Sequence, residues 1–342
     1  MVGLMGSRFG GRSILVLAVF ALALSACSSS GSPSGGAPSG SATPTPTTLT
    51  KVTAILGWYA EPARAGFYAA QDQGYYRNVG IDANLEAGAD VSPEQVVGSG
   101  RAAFGLDDAD AILQAIAQGV PIVALMAAYQ HTGFIIMYHQ GQGIQGFQNL
   151  GNRTAYIFPG SLWWDYIVKK YGLKGVHQVA YSGALQPFIQ DPTAINQEYI
   201  GVGNVTLASK GIKFGYFHVS DSGYDPYSNV LFTTKSYLAA HPDVVKNFVQ
   251  ATVKGWNSYR TTYATLDRYM QQFNKGFPAS AMDQNAVQQE SLVYGGDAAT
   301  YGMGYMSAQR WSQVEDALLS LGAIKKRIDI STVFTNQYLP GP

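Results

Sequence analysis

The sequence predicts an α/β protein of two lobes with a helical C-terminal region, and three observations predict it. Short apolar runs alternate with amphipathic helical stretches from residue 51 onward, the rhythm starts again after residue 143, and from residue 242 helix takes over. Alternation of this kind implies parallel-rich sheets flanked by helices. A chain of 342 residues is long enough for two such lobes, and a hydrophobic share of 46% excludes wholesale disorder. Only 13% of residues are charged, the formal net charge is zero and no Lys/Arg block occurs, which argues against a nucleic-acid partner. The single cysteine excludes a disulfide framework and any cysteine-based metal cage.

Arg8 and Arg12 precede the apolar run 13–24, SILVLAVFALAL. Twelve residues are too few for a permanent membrane span but suit a secretory signal. The run ends in Leu24-Ser25-Ala26-Cys27, which resembles a bacterial lipobox. That resemblance implies that residues 1–26 are a lipoprotein signal peptide and that Cys27 carries the lipid; a cleaved ordinary signal is the alternative. Residues 28–50 hold no charge and no aromatic ring, so 27–50 is expected to be a lipidated cysteine on a flexible Ser/Gly/Pro/Thr linker. Loss of residues 1–26 leaves 20 basic against 22 acidic residues. A folded module tethered at the extracytoplasmic face of the cell membrane is the expectation.

From residue 51 the elements follow in order. An apolar strand over 52–56 leads to the turn Gly57-Trp58-Tyr59-Ala60-Glu61-Pro62, then to a helix over 63–73 stopped by Gly74. A strand over 81–85 precedes Ser92-Pro93-Glu94-Gln95, which supplies an N-cap, a proline at the first helical position and a capping-box partner. The strand 102–106 ends at Asp107 and Asp108, which are placed to cap a helix over 109–118; 121–129 and 133–139 are further buried runs. The second lobe opens with a strand over 154–158 and a helix over 161–171 ended by Gly172, and alternates to 219. A strand over 229–234 returns toward the first half, and 244–259, 281–293 and 308–321 read as helices. This assigns 51–143 plus 228–342 to lobe 1 and 144–227 to lobe 2.

Several motifs carry no chemistry. Gly141-Gln142-Gly143-Ile144-Gln145-Gly146 matches the dinucleotide fingerprint, but no helix opens at it, so a tight loop between the lobes is expected. The five histidines have no metal-ligand spacing, and Gly98-Ser99-Gly100 is too short for a nucleophile elbow. No metal, no cofactor and no catalytic group are expected.

In open α/β sheets ligands bind beyond the carboxyl ends of the strands. Those ends carry Trp58, Tyr59 and Glu61, then Asp107 and Asp108, then Tyr129 and Gln130. In the second lobe they carry Gly160, Ser161 and Trp163, then Glu198 beside Gln197 and Tyr199, then Asp221, Tyr224 and Tyr227. Aromatic faces stack on planar ligands and carboxylates accept hydrogen bonds from amino groups. For Asp107 and Asp108 a purely capping role is the alternative.

Four segments resemble the solute-binding proteins of ABC importers, in the family that holds binders of thiamine pyrimidine precursors, alkanesulfonates, taurine, nitrate and riboflavin. They are KVTAILGWYAEPARAGFYAAQDQGYYRNVG at 51–80, VVGSGRAAFGLDDADAILQAIAQGVPIV at 96–123, the stretch 144–160, and YDPYSNVLFTTKSYLAAHPDVVKNFVQATVKGW at 224–256. The resemblance implies a type II periplasmic-binding-protein-like fold, whose lobes are hinged by two crossing segments. It also implies ABC permease and ATPase partners, a monomer and no enzymatic activity. Trp58 and Tyr59 fall on the loop that covers the ligand in the family, and Glu198 on its carboxylate-bearing strand end. Where the family often has Glu-Pro after that strand, this chain has Gly201-Val202-Gly203-Asn204, which leaves the register of Gln197 and Glu198 open. Carboxylates repel sulfonate and nitrate, so a planar amino-bearing heterocycle such as a thiamine pyrimidine precursor is expected. Sulfonate, taurine, nitrate or riboflavin are the alternatives, and a thiamine-pyrimidine synthase-like enzyme is a more distant one.

Overall fold

A computed structural model describes residues 48–88 and 91–341. The signal peptide, Cys27 and the linker up to residue 47 lie outside the described residues. Among the described residues ten strands form two sheets. The first contains β1 (Thr50–Ile55), β2 (Ile81–Glu86), β3 (Phe104–Asp107), β4 (Ile122–Tyr129) and β10 (Ser228–Thr234), in the order β2-β1-β3-β10-β4. The second contains β5 (Phe134–His139), β6 (Thr154–Ile157), β7 (His177–Ala180), β8 (Ile195–Tyr199) and β9 (Phe214–His218), in the order β7-β6-β8-β5-β9. Both sheets are mixed: β2-β1-β3 and β7-β6-β8 are parallel, whereas β10 and β5 run antiparallel to both of their neighbours.

The sequence reading placed 133–139 in lobe 1, but β5 belongs to the second sheet, paired with β8 and β9. An apolar run buried on both faces has no polar side to say which sheet it joins, and nearness in sequence to β4 pointed the wrong way. The chain therefore crosses between sheets at 130–133 and returns at 219–227. The glycine-rich 141–146 segment lies between β5 and β6, within the second sheet rather than between lobes, and a short 3-10 turn follows it in place of a nucleotide-binding helix.

Apolar burial explains the frame. Every residue of β4 is buried although β4 ends the sheet, because the C-terminal segment covers its edge: Ala124 N–H donates to Val333 and Ala127 N–H to Gly304. The long helix Pro242–Met270 lies against the helix Ala65–Asp72, and glycine makes the crossing possible. A Cβ on Gly255 would fall 2.1 Å from the Gly66 carbonyl oxygen, and one on Gly66 would fall 2.2 Å from the Trp256 indole. The two crossing segments are tied together. His131 Nδ1 lies 2.7 Å from Asp225 Oδ2, Thr132 N–H donates to Asp225 Oδ1, and Arg310 of the helix Ala308–Leu321 donates to the same carboxylate at 3.1 Å. Among the described residues no helix is long and apolar enough to cross a membrane.

Candidate functional site

A cavity of about 720 Å³ opens between the carboxyl ends of the parallel strands of both sheets. On the first sheet, the chain leaving β1 passes so close to β3 that a Cβ on Gly57 would meet the Leu106 carbonyl oxygen at 2.5 Å, and Gly57 adopts φ +70. This turn presents Trp58 and Tyr59, packed edge-to-face at 5.4 Å and 41% and 50% exposed, so both rings are available to a ligand. Glu61 pairs with Arg64 at 3.3 Å, while Arg64 Nε donates to the Leu56 carbonyl. Burial raises the Glu61 pKa, and Arg64 offsets only part of that rise.

Next to them, β3 delivers two carboxylates. Asp108 holds the N-cap position of the helix Ala109–Ala117, yet its side chain makes no capping bond. Its Oδ1 instead accepts from the Ser228 hydroxyl and from Asn229 N–H. Asp107 Oδ1 accepts from Asp108 N–H at 2.7 Å, and its pKa is raised well above the usual range by burial first, then by the negative charges of Glu94 and Asp108. Asp108 is raised by burial too, with its bonds to Ser228 and Asn229 working against the rise.

The second sheet contributes a different surface. Phe158, 55% exposed, follows β6, and its N–H donates to Gln197 Oε1 at 2.5 Å. Ser161 donates to the Phe158 carbonyl. Glu198 accepts from Tyr181 Oη at 2.7 Å and from Tyr199 N–H at 3.1 Å, and burial pushes its carboxyl up to about 7. A Cβ on Gly203 would come within 2.3 Å of the Glu198 side chain, so Gly203, in the segment that replaces the expected Glu-Pro, makes room for this carboxylate. Gln197 and Glu198 both line the cavity.

Of the residues singled out from sequence, Trp58, Tyr59, Glu61, Asp107, Asp108, Ser161 and Glu198 line the cavity. Seven others do not, and packing explains each. Tyr129 is buried and donates to Gln289, whose amide in turn donates to the Pro62 carbonyl, so it braces the cavity-lining loop from behind. Gln130 donates to Tyr305, Trp163 stacks on Phe134, and Tyr224 donates to Asp110 at 2.6 Å. Tyr227 donates to Asp297 under the Arg310 guanidinium. Asp221 is exposed on a 3-10 turn, and Gly160, at φ +81, serves the turn between Phe158 and Ser161. Residues missed in sequence fall into two sets. Phe158 and Tyr181 stand just past β6 and β7, at the carboxyl ends of parallel strands. Phe134, Ser228 and Asn229 open antiparallel strands, whose beginnings rather than ends face the cavity.

Among the described residues no group of three or more His, Cys, Asp and Glu is arranged to hold a metal ion.

A family model described as NMT1/THI5 like matches residues 61–261, more than half of the chain. The riboflavin-binding protein RibY of Chloroflexus aurantiacus is 23% identical over 313 residues, covering 86% of this chain and 87% of that protein. The 4-amino-5-hydroxymethyl-2-methylpyrimidine phosphate synthase THI12 of Saccharomyces cerevisiae is 30% identical over 128 residues, 36% of this chain and 38% of that protein. Among solved structures, the periplasmic aliphatic sulphonate binding protein SsuA of Escherichia coli superposes with a TM-score of 0.63 at 12% identity, covering 84% of this chain and 91% of that chain. The fold is that of the periplasmic binding proteins.

Proposed function

The chain belongs to the NMT1/THI5-like family, and from that premise we propose that it is the extracytoplasmic solute-binding component of an ABC importer. It captures a small planar nitrogen heterocycle between its two sheets and delivers it to a membrane permease without transforming it, tethered by a lipid on Cys27. One observation supports this reading above the rest: Glu61, Asp107, Asp108 and Glu198 line the cavity with Arg64 as the sole cationic side chain among the described residues, and exposed aromatic rings flank them. Such a lining accepts N–H donors and stacks on a flat ring, while it repels a sulfonate. None of the five histidines belongs to the lining, which leaves acid–base work to carboxylates already occupied by structural hydrogen bonds.

A ring bearing amino groups, of the aminopyrimidine type, is the first reading. Riboflavin is the second, favoured by the likeness to RibY along nearly the whole of both chains and by the roomy cavity. Closure of the two sheets would follow from contacts the ligand makes better in the closed form, the only free energy available to shift that equilibrium. Calorimetry against 4-amino-5-hydroxymethyl-2-methylpyrimidine, riboflavin and taurine tests the proposal. Binding of either heterocycle is expected, and binding of taurine alone overturns it. Trp58→Ala is expected to weaken the bound heterocycle more than tenfold, about 1.4 kcal/mol, with unfolding unchanged because the ring is exposed.

A further inference from the structure

Among the described residues two non-glycine residues have positive φ, and they differ in kind. Asn152, at φ 54, is exposed on a turn beside Gly175. Asn229, at φ 52, is 3% exposed and is the second residue of β10, next to Val230, where pairing with β3 begins. Ser228 and Val230 keep register with Tyr129 and Ala127 of β4, so the departure is confined to one residue. Its backbone N–H is accepted by the Asp108 carboxylate at 3.0 Å rather than by a ladder carbonyl. Asparagine is among the few side chains that tolerate this conformation, and a strained backbone persists only where its surroundings impose it.

The strained residue lines the cavity. Its Nδ2 donates to Tyr199 Oη at 3.4 Å, the long limit of a hydrogen bond and therefore readily exchanged for a better partner. Its Oδ1 has no protein partner among the described residues. Tyr199 comes from the second sheet, so this contact lies where the two sheets meet. There the carboxamide offers an acceptor and a donor side by side, the pairing that asparagine uses on adjacent donor and acceptor atoms of a nucleobase edge.

We propose that Asn229 is a ligand-positioning residue: the left-handed turn of β10 presents its carboxamide to a heterocycle edge carrying an adjacent donor and acceptor, as cyclic amides and amidines do. The inference rests on the reading of the cavity given above and names the edge it selects. Three variants separate ligand reading from fold. Asn229→Gly keeps the positive φ without strain and deletes the amide, Asn229→Asp keeps the shape and removes the donor, and Asn229→Ala deletes the amide and adds strain. Each is measured by calorimetry with riboflavin and with 4-amino-5-hydroxymethyl-2-methylpyrimidine, and by thermal unfolding. Asn229→Gly is expected to melt with the wild type and to bind its probe about tenfold or more weakly, Asn229→Asp to lose affinity likewise, and Asn229→Ala to lose both affinity and melting temperature. Equal affinity in the wild type and Asn229→Gly overturns the assignment, as does a glycine variant as unstable as the alanine one. A wild type that binds neither probe overturns the proposed function first, and this inference falls with it.

Discussion

The first sheet meets the cavity chiefly with carboxylates and the second chiefly with aromatic rings, and the packing behind the two walls differs in the same direction. Behind the first, β4 and β10 are buried along their whole lengths and the helix Pro242–Met270 closes over the helix Ala65–Asp72. In the second, the edge strand β7 is largely open to solvent and the edge strand β9 is half-buried. A buried carboxylate is tolerable only where fixed donors stand still beside it, as Ser228 and Asn229 do for Asp108. An aromatic face needs only to be presented. Three of the four lining carboxylates therefore sit on the rigid wall, whose exposed rings are confined to the Trp58-Tyr59 turn, while Phe158 is presented by the more open one.

The largest expected effect separates the walls by stability. Trp256 is fully buried behind the first wall against Gly66, so Trp256→Ala is expected to cost about 3–5 kcal/mol by denaturant unfolding. Phe158 on the second wall is mostly exposed, and Phe158→Ala is expected to change stability by less than about 0.5 kcal/mol while weakening ligand binding. Comparable losses of stability from both substitutions would break the contrast.

The next effect concerns protons on the rigid side. Asp267, in the helix Pro242–Met270, is fully buried, and burial lifts its pKa to about 7; it accepts from Tyr259 Oη at 2.7 Å and faces Asp283. Asp110 on the same side and Glu198 on the other wall are raised in the same sense, to about 6 and about 7. An acid whose folded pKa is raised binds its proton more tightly in the native state. The stability it contributes is complete below the unfolded value near 4 and is lost as pH climbs through the folded value near 7. Asp191 and Asp329, which are lowered, oppose this only weakly because they lie near the surface. Melting temperature is thus expected to fall between about pH 4 and about pH 7, and Asp267→Asn to flatten that slope. An unaltered slope in the variant would show that Asp267 is not held protonated.

How much of this was legible in sequence follows the same division. The frame was readable because apolar period and caps agree: Ser92 does accept from Gln95 N–H, and the helix expected over 308–321 is Ala308–Leu321. The direction of a strand is not written in its composition, and that missing fact hid Phe134, Ser228 and Asn229, while the apolar run of β5 carries no sign of which sheet it joins. Trp163, Tyr224 and Tyr227 were named because aromatics near strand ends look alike before packing, whereas their hydroxyls or rings are taken up by Asp110, Asp297 and Phe134. The strain at Asn229 has no signal in sequence beyond the residue type itself.

The seam between the walls gives the smallest effect and the sharpest use of the contrast. Asp225 gathers His131, Thr132 N–H and Arg310, so it joins both crossing segments to the helix Ala308–Leu321. Its side chain and that of His131 are partly exposed, which screens the pairs, whereas Arg310 is only 14% exposed and would be left beside Tyr227 without its carboxylate. Asp225→Asn keeps an acceptor of the same shape and removes the charge; a loss of about 1.5 kcal/mol is expected, at the low end for hydrogen bonds to charged groups. Because none of its four residues lines the cavity, the substitution is expected to leave the Trp58-dependent part of ligand affinity unchanged in a double-mutant cycle while altering how readily the two sheets approach, measured by small-angle scattering with and without ligand. Coupling between Asp225 and Trp58 in that cycle would mean that the seam reaches into the site, and that walls so different in packing are nevertheless set by one common support.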